Sequence, residues 1–171
     1  MVHGQVEDRP ITVESVDLRR YAGLWYEMAR IPNGFQDQCV WGVTAEYSLR
    51  DDGKVGVVNR CYTEDGELEE AKGVARVADE TSNARLEVSF FSILGWRPVW
   101  GDYWIIDLAE DYSYAVVCSP DRKYGWILAR ERTLPVDVLE GIFSRLREQG
   151  FPAGAFRPTA QEAPAKSSPD R

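Results

Sequence analysis

Three cysteines and a single histidine are the residues of this sequence that could build a metal site or a nucleophilic centre. Cys39, Cys61 and Cys118 show no Cys-x-x-Cys spacing, and the histidine, His3, stands near the start of the chain. A zinc site needs about four such ligands, so we expect no metal and no cofactor. A catalytic thiol needs a neighbouring base, which His3 is poorly placed to supply. The cysteines are expected to form one disulfide and one free thiol, or to remain three buried thiols.

The sequence as a whole is acidic and rich in aromatic residues. The 171 residues carry a formal net charge of -8 and include six Trp, eight Tyr and six Phe. This bulk charge disfavours nucleic acid and an anionic bilayer as partners. No apolar run approaches the roughly 18 residues of a membrane span, and residues 1–16 lack the apolar core of a secretory signal. A cytoplasmic protein is one interpretation, and a signal removed ahead of this numbering is the other.

The elements that must position any site are short strands separated by turns, from Gly23 to Arg132. The clearest pair is 43–50 and 54–62, joined by a turn in which Gly53 takes the left-handed position of a hairpin. Its register places one amide, Asn59, on an otherwise apolar face. The expected facing pairs are Leu49 with Val55, Tyr47 with Val57, Ala45 with Asn59 and Val43 with Cys61.

Eight strands are predicted in all, each with one apolar and one polar face. The others are expected at about 24–31, 67–78, 85–90, 102–108, 113–119 and 124–131. This pattern favours an all-β fold, an eight-stranded antiparallel up-and-down barrel that closes its own edges. A β-sandwich is the alternative.

The apolar period then changes to that of a helix. Residues 135–149 predict one amphipathic helix, with Pro135 in its first turn and Gly150 at its end, packed on the outside of the barrel. The predicted organisation is an N-terminal arm (1–16), a barrel with its helix (17–158) and a disordered tail (159–171). The apolar stripe of the helix consists of Val138, Leu139, Ile142, Phe143 and Leu146.

Three motifs in fixed order carry a family resemblance. They are Gly23-x-Trp25 on the first strand, Glu110-Asp111-Tyr112 in a late turn, and Arg130 on the last strand. Together with the C-terminal helix they resemble the lipocalins over about residues 17–158, although the usual threonine of the second motif is missing. The stretches GLWYEMAR, YSLRDDG, LEVSFF and AVVCSPDRKYGWILARE are similar to the branch of bacterial outer-membrane lipocalins and apolipoprotein D.

The resemblance implies that the two ends of the barrel differ. Gly23, Trp25, Asp111, Tyr112 and Arg130 would form a structural plug at the closed end, with the Arg130 guanidinium stacked on the Trp25 ring. The other end would be a mouth, and Cys39 and Cys61 would converge near it, where a disulfide is plausible. The mouth residues implied are Phe35, Trp41, Ile93, Leu94, Trp96, Val99 and Trp100.

The segment Ser92–Trp100 is unusually apolar for a loop. It either folds onto its own barrel or forms an entrance that touches a membrane, a partner subunit or an amphiphilic ligand.

A ligand cavity is expected between floor and mouth. Asn59, Tyr47 and Glu27 are its candidate polar anchors. Strands 102–108 and 113–119 are apolar on both faces, so which of their residues face inward is open. The expected lining is Glu27, Ala29, Val43, Ala45, Tyr47, Val57, Asn59, Ala71, Gly73, Ala75, Val88, Phe90, Trp104, Ile106, Trp126 and Leu128.

The resemblance implies a protein that binds and carries a hydrophobic or amphiphilic small molecule, a fatty acid or lysophospholipid first of all, in membrane lipid maintenance. The alternatives are an enzyme on the same fold and a heme- or bilin-type pigment binder. Membrane contact at the mouth and a homodimer are the further partners considered. By resemblance the protein belongs to the bacterial cell envelope, although this sequence shows no lipid-anchored N-terminal cysteine; the alternative is cytoplasmic.

Overall fold

The strands of the chain form one antiparallel sheet that closes on itself. The computed structural model describes residues 8–152 and 154–165. Its elements are α1 (Leu18–Tyr21), β1 (Gly23–Arg30), a 3-10 turn (Gly34–Gln36), β2 (Trp41–Leu49), β3 (Val55–Tyr62), β4 (Leu68–Val77), β5 (Arg85–Ser89), β6 (Gly101–Leu108), β7 (Tyr114–Cys118), β8 (Gly125–Ala129), α2 (Val136–Glu148) and β9 (Arg157–Pro158). Strands β2 to β8 pair in sequence, and β1 pairs with both β8 and β2. The predicted eight-stranded barrel is confirmed.

The β2–β3 hairpin has the predicted register through most of its length. Asn59 faces Ala45, and Tyr47 faces Val57. Gly53 has φ +82°, the left-handed conformation expected at this turn. The register shifts between Trp41 and Thr44, so the expected pairing of Val43 with Cys61 is not part of the ladder.

The barrel has a closed end and an open end. Helix α1 precedes β1 and lies at the closed end with the β2–β3, β4–β5 and β6–β7 turns, because antiparallel strands alternate direction. The β1–β2, β3–β4 and β7–β8 connections lie at the other end, the mouth, and the β5–β6 connection leaves the wall on that side.

Two apolar clusters lie on the two sides of the barrel wall. The inner cluster contains Trp25, Tyr47, Val57, Ile105 and Leu128, from strands that face one another across the barrel. The outer cluster forms under α2, whose complete predicted stripe packs against outward residues of β7 and β8. The outer cluster includes Val116, Cys118, Ile127, Val138, Leu139, Ile142, Phe143 and Leu146.

Three expected lining residues lie in the outer cluster instead. Trp104 and Ile106 point outward from β6, while Tyr103 and Ile105 belong to the inner cluster. Because both faces of β6 are covered by apolar material, its sequence carries no polarity signal to fix the inward set. Ala29 is turned outward by a register shift between Glu27 and Ala29 in β1.

The predicted disordered tail begins inside an ordered segment. Residues 157–161, which we name the strap, lie between the mouth-side ends of β1 and β2. The Thr159 amide donates to the Met28 carbonyl oxygen, and the Gly42 amide donates to that of Ala160. The Gln161 amide group donates to the carbonyl oxygens of Glu27 and Val43. A Pro/Ala/Ser-rich composition therefore did not prevent this segment from completing the wall.

The ends of the chain are described in part. His3 with the rest of residues 1–7, and residues 166–171 of the predicted tail, lie outside the described residues. The described part of the arm follows the barrel: Arg122 in the β7–β8 turn bonds Asp8, and the Val16 amide donates to Ser82 at the closed end. None of the helices in the described ranges has the length and apolar character needed to cross a membrane.

Candidate functional site

The closed end is a compact plug around Trp25. The Trp25 side chain is fully buried, and its indole nitrogen donates to the Tyr21 carbonyl oxygen at 2.8 Å. The Arg130 guanidinium lies 3.8 Å from the centre of the Trp25 ring. It also donates to four carbonyl oxygens in residues 20–24 at 2.6 to 3.1 Å. Gly23 has φ +106°, and a side chain there would approach Arg130 at 3.3 Å.

The β6–β7 turn joins the same plug. The Tyr112 hydroxyl accepts a hydrogen bond from the Asp17 amide at 2.8 Å, next to α1. The Asp111 carboxylate accepts from the Ser113 amide and shapes the turn, and hydrogen bonding by the Ser113 side chain and then by its amide lowers the pKa of Asp111. The five motif residues thus pair with backbone and with one another, which is how a floor is built.

Three tyrosine hydroxyls form a chain above the floor. The Tyr21 and Tyr103 hydroxyl oxygens are 2.6 Å apart, and the Tyr103 hydroxyl donates to that of Tyr47 at 2.8 Å. Burial raises the pKa of Tyr47 to about 12 and those of the other two well above 10.0, so all three phenols stay protonated. Two bonds among three hydroxyls use two hydrogens, which leaves the third for another acceptor.

The cavity beside these tyrosines is narrow. It is lined by apolar side chains from α1 and from strands β2 to β6, with the Tyr47 and Tyr103 rings among them. It has room for about one water molecule. A larger ligand must therefore use the space above the tyrosines.

The upper interior is open to solvent. Asn59 and Ala71 face each other across β3 and β4 on the inner side, and Phe90 lies over Gly73 just below them. Phe90 is 45% exposed, although its side chain points to the inside. The Asn59 amide has no hydrogen-bond partner among residues 8–152 and 154–165. The walls around this space are apolar and come from Val43, Ala45, Val57, Val88 and Leu128.

A buried carboxylate stands on the β1 side of the same space. Glu27 is 2% exposed and forms an ion pair with Arg30, Nη1 to Oε2, at 3.1 Å. The Gln36 amide donates to it at 3.2 Å and the Thr159 hydroxyl at 2.6 Å. Burial raises the pKa of Glu27, opposed by these hydrogen bonds and by the Arg30 charge.

The β1–β2 loop folds into the mouth and reaches Trp126. The Trp126 indole nitrogen donates to the Gln36 side-chain oxygen at 2.9 Å. The Phe35 ring, which is 59% exposed, lies 6.4 Å from the Trp126 ring and 5.4 Å from that of Tyr124. Two expected mouth or lining residues, Phe35 and Trp126, therefore meet at one side of the entrance.

A disulfide ties the β1–β2 loop to β3 at the mouth. Cys39 and Cys61 are joined, with their Cα atoms 5.4 Å apart. Trp41 stacks on Tyr62 with 4.1 Å between ring centres.

Cys118 is the free cysteine, buried in the outer cluster under α2, and burial raises the pKa of its thiol to about 12.

Leu94 and Trp96 are not at the mouth. The segment 90–100 leaves the wall at mid-height and folds outward over β4, where it covers the outward side chain of Val74. The Trp100 ring stacks under the Arg76 guanidinium at 3.8 Å, and Arg97 donates to the Ser89 carbonyl oxygen. The expected position at the mouth was wrong for these two residues: the segment folds onto the outside of its own barrel, the other alternative, because outer-wall partners hold it there.

Sequence reasoning missed four participants of the interior. Tyr21 precedes the first predicted strand, and Tyr103 shares the ambiguous strand with Trp104. Arg30 faces inward only because of the shift in β1, and Thr159 belongs to the supposed tail. Strict alternation along β1 gave the inward position of Glu27 but no sign of its partners.

Comparison with known proteins agrees with this architecture. A sequence model described as a lipocalin-like domain matches residues 16–161. The chain belongs to the lipocalin family. This lipocalin is 39% identical over 145 residues to the outer membrane lipoprotein Blc of Escherichia coli K12, covering 84% of this chain and 78% of the relative. It is 34% identical over 162 residues to apolipoprotein D of Macaca fascicularis, covering 90% and 81%.

Solved structures give the same fold at lower identity. Insecticyanin of the tobacco hornworm Manduca sexta superimposes with a TM-score of 0.70 at 22% identity, covering 90% of this lipocalin and 84% of that chain. The relatives confirm the predicted family and branch, and they are consistent with a binding protein for small hydrophobic molecules. The bacterial relatives are named as outer membrane lipoproteins.

Proposed function

We propose that this lipocalin binds a single-chain amphiphile, a lysophospholipid or a fatty acid, in its upper interior. The observation that carries the proposal is the Asn59 amide, which stands without a partner on an apolar inner wall that is open to solvent. The amide is partly exposed, so in the free barrel it faces solvent instead of a protein group. An ester, hydroxyl or carboxylate oxygen of a ligand entering the barrel would supply that partner.

The acyl chain of such a ligand would lie along the inner wall between Asn59 and the tyrosines. The side chains there are Ala45, Val57, Val88 and Phe90, all apolar. Each buried methylene contributes about 0.8 kcal/mol, so a long chain binds with few polar contacts. The third hydroxyl hydrogen of the tyrosine chain is a second donor at the lower end of this path. The head group would stay in the open mouth.

A binding role fits the titratable groups better than catalysis does. The sulfur of Cys61 is held in the disulfide, and the raised pKa of Cys118 keeps that thiol protonated beneath α2. The Glu27 carboxylate is already engaged by an ion pair and two hydrogen bonds. The disulfide and the buried, protonated thiol therefore support a binding role over thiol-dependent catalysis.

We place this lipocalin in the cell envelope, where it would take part in membrane lipid maintenance, by analogy with relatives named as outer membrane lipoproteins. A homodimer stays a prediction.

Isothermal titration with lysophosphatidylcholine, below its micelle concentration, and with oleate tests the ligand. Ala71→Trp would fill the upper interior opposite Asn59 without overpacking the inner cluster. Lys72→Trp, one residue further on and facing outward, is the matched control. We expect saturable binding near one ligand per chain for the wild type and for Lys72→Trp, and none for Ala71→Trp. Equal affinity in both variants, or no wild-type binding of either lipid, would overturn the proposal.

A further inference from the structure

A second binding feature lies on the outer wall, between the β2–β3 turn and the segment 90–100. It is a groove whose floor is Val74 and whose sides are two tryptophans and four cationic residues. We name it the outer groove; its full lining is Arg50, Lys54, Val74, Arg76, Gly95, Trp96, Arg97 and Trp100. A lining of four cations and no carboxylate stands out on a chain of net charge -8.

The cations of the outer groove are only partly neutralised. Arg50 pairs with Asp52 at 2.8 Å and Arg76 with Glu87 at 3.0 Å. The Lys54 ammonium has no ion-pair or hydrogen-bond partner within the described ranges of the chain. Arg97 donates to a carbonyl oxygen, which leaves its charge uncompensated. The groove therefore presents an excess of positive charge.

The tip of segment 90–100, beside the groove, is a tight turn with an unfavourable residue at its first central position. Ile93 and Trp96 exchange two backbone hydrogen bonds, 2.7 and 2.9 Å, around a two-residue turn. Both turn residues have positive φ, +49° at Leu94 and +85° at Gly95. Such turns favour Asn-Gly, and a non-glycine residue in this region is strained. Leu94 is also 103% exposed, so within this chain its side chain gains nothing from burial.

Strain and exposure at one residue indicate a contact outside the chain. The tip places Leu94 and Ile93 forward, with Trp96 and the cations just behind them. A protein that docks on an anionic bilayer places its side chains at successive depths. Apolar side chains reach deepest, tryptophan lies at the interface, and Lys and Arg remain among the anionic head groups. The β3–β4 turn and the start of β4, in contrast, carry exposed Glu64, Asp65, Glu67, Glu69 and Glu70.

We propose that the outer groove and the Leu94 tip dock on a membrane surface that contains anionic phospholipids, with lipid phosphate groups between Lys54 and Arg97. The bulk charge of the chain opposes such a surface, but screening limits this repulsion to about 8–10 Å, and the groove acts at contact. The acidic β3–β4 turn is then held away from the bilayer. Docking through the outer wall goes beyond ligand binding in the barrel and does not depend on it.

Vesicle flotation measures the docking. We expect the wild type to bind phosphatidylcholine vesicles that contain phosphatidylglycerol, and to bind pure phosphatidylcholine vesicles much more weakly. Arg50→Gln with Lys54→Gln should weaken binding to the anionic vesicles about 25-fold, since each cation near such a surface contributes about fivefold. Arg132→Gln with Lys123→Gln removes the same charge from exposed positions elsewhere and should leave binding unchanged.

Leu94→Asn separates docking from folding. Asparagine tolerates positive φ, so the melting temperature should hold or rise while vesicle binding falls. Loss of binding in this variant with lysophosphatidylcholine affinity unchanged supports the proposal, even if the barrel proves to prefer another ligand.

Three results would overturn the docking site. One is equal vesicle binding by the groove pair and the control pair. Another is equal wild-type binding to neutral and anionic vesicles. The third is displacement by inorganic phosphate beyond that caused by chloride at the same ionic strength, which would mark a site for small anions.

Discussion

The closed end and the mouth of this barrel differ in how far their side chains find partners within the chain. At the closed end, Trp25 and Arg130 contact one another, and both donate hydrogen bonds to backbone carbonyl oxygens. At the mouth, Asn59 has none and Phe90 turns its ring inward yet remains exposed. Groups with all their partners inside the chain stabilise a fold, whereas groups without them can recognise something else. Substitutions at the floor should therefore change the stability of the fold, and substitutions at the mouth should change the affinity for the ligand.

The largest effect is expected at the floor. Trp25→Ala removes a fully buried ring and leaves the Arg130 guanidinium over a cavity, which should lower the free energy of unfolding by about 3–5 kcal/mol. Urea denaturation followed by circular dichroism measures it. Leu24→Ala, the outward neighbour on β1, is the control and should cost far less. Similar losses in the two variants would mean that the floor is not the stabilising end.

The disulfide is the exception that sharpens the comparison, since it adds stability at the mouth. Replacing Cys39 and Cys61 by serine opens a link of sequence separation 22 and should cost about 2–4 kcal/mol. Reductant should lower the stability of the wild type to that of the double variant and leave the variant unaffected. If reductant shifts both proteins equally, the loss comes from elsewhere.

At the mouth, Asn59→Leu should change affinity and spare the fold. It removes an amide that bonds nothing within the described chain, so stability should hold or rise, while affinity for lysophosphatidylcholine should fall about threefold to tenfold. Calorimetry measures the affinity, and thermal melting of the same preparation measures the stability. Val58→Leu, on the neighbouring outward position, should alter neither. A destabilised Asn59→Leu protein with normal affinity would reverse the assignment.

The smallest effect concerns the buried carboxylate of Glu27, on the β1 side of the interior. Because burial raises the pKa of Glu27 above 4.5, the folded chain keeps a proton that the unfolded chain has lost between the two values. Stability contributed at this site therefore falls as pH rises through that window, by at most about 1.4 kcal/mol per pH unit. Glu27→Gln should lack this slope.

Urea denaturation from about pH 4 to about pH 7 measures the difference. Glu64→Gln, on the exposed β3–β4 turn, should keep the wild-type profile. An identical profile for Glu27→Gln would show that Arg30 and the hydrogen bonds hold the carboxylate ionised throughout.

The sequence was most informative where one face of a strand meets water. In β2 and β3 the alternation of polar and apolar residues gave the register from Ala45 to Leu49, with Asn59 opposite Ala45, as found. In β6, α2 covers the outer face, so Trp104 and Tyr103 were indistinguishable by polarity and the inward set was predicted wrongly.

Long-range partners were beyond the sequence for a different reason. Thr159 reaches Glu27 across 132 residues, and local composition around it predicted only disorder. The outward fold of segment 90–100 depends on Arg76 and Ser89, which belong to other elements. Motifs identified the floor because its residues interact in a way common to the family, but nothing equally regular marks the mouth.

The strap sets a limit on when the barrel can form during synthesis. Its contacts with β1 and β2 complete the wall at the mouth, and β1 also waits for β8. The first strand made by the ribosome therefore acquires its final neighbours only when residue 161 has left the exit tunnel. Pairings between distant parts of a chain form slowly and leave strand edges exposed meanwhile. A nascent chain of this lipocalin carries an open seam beside Glu27 until the strap has been synthesised and has emerged.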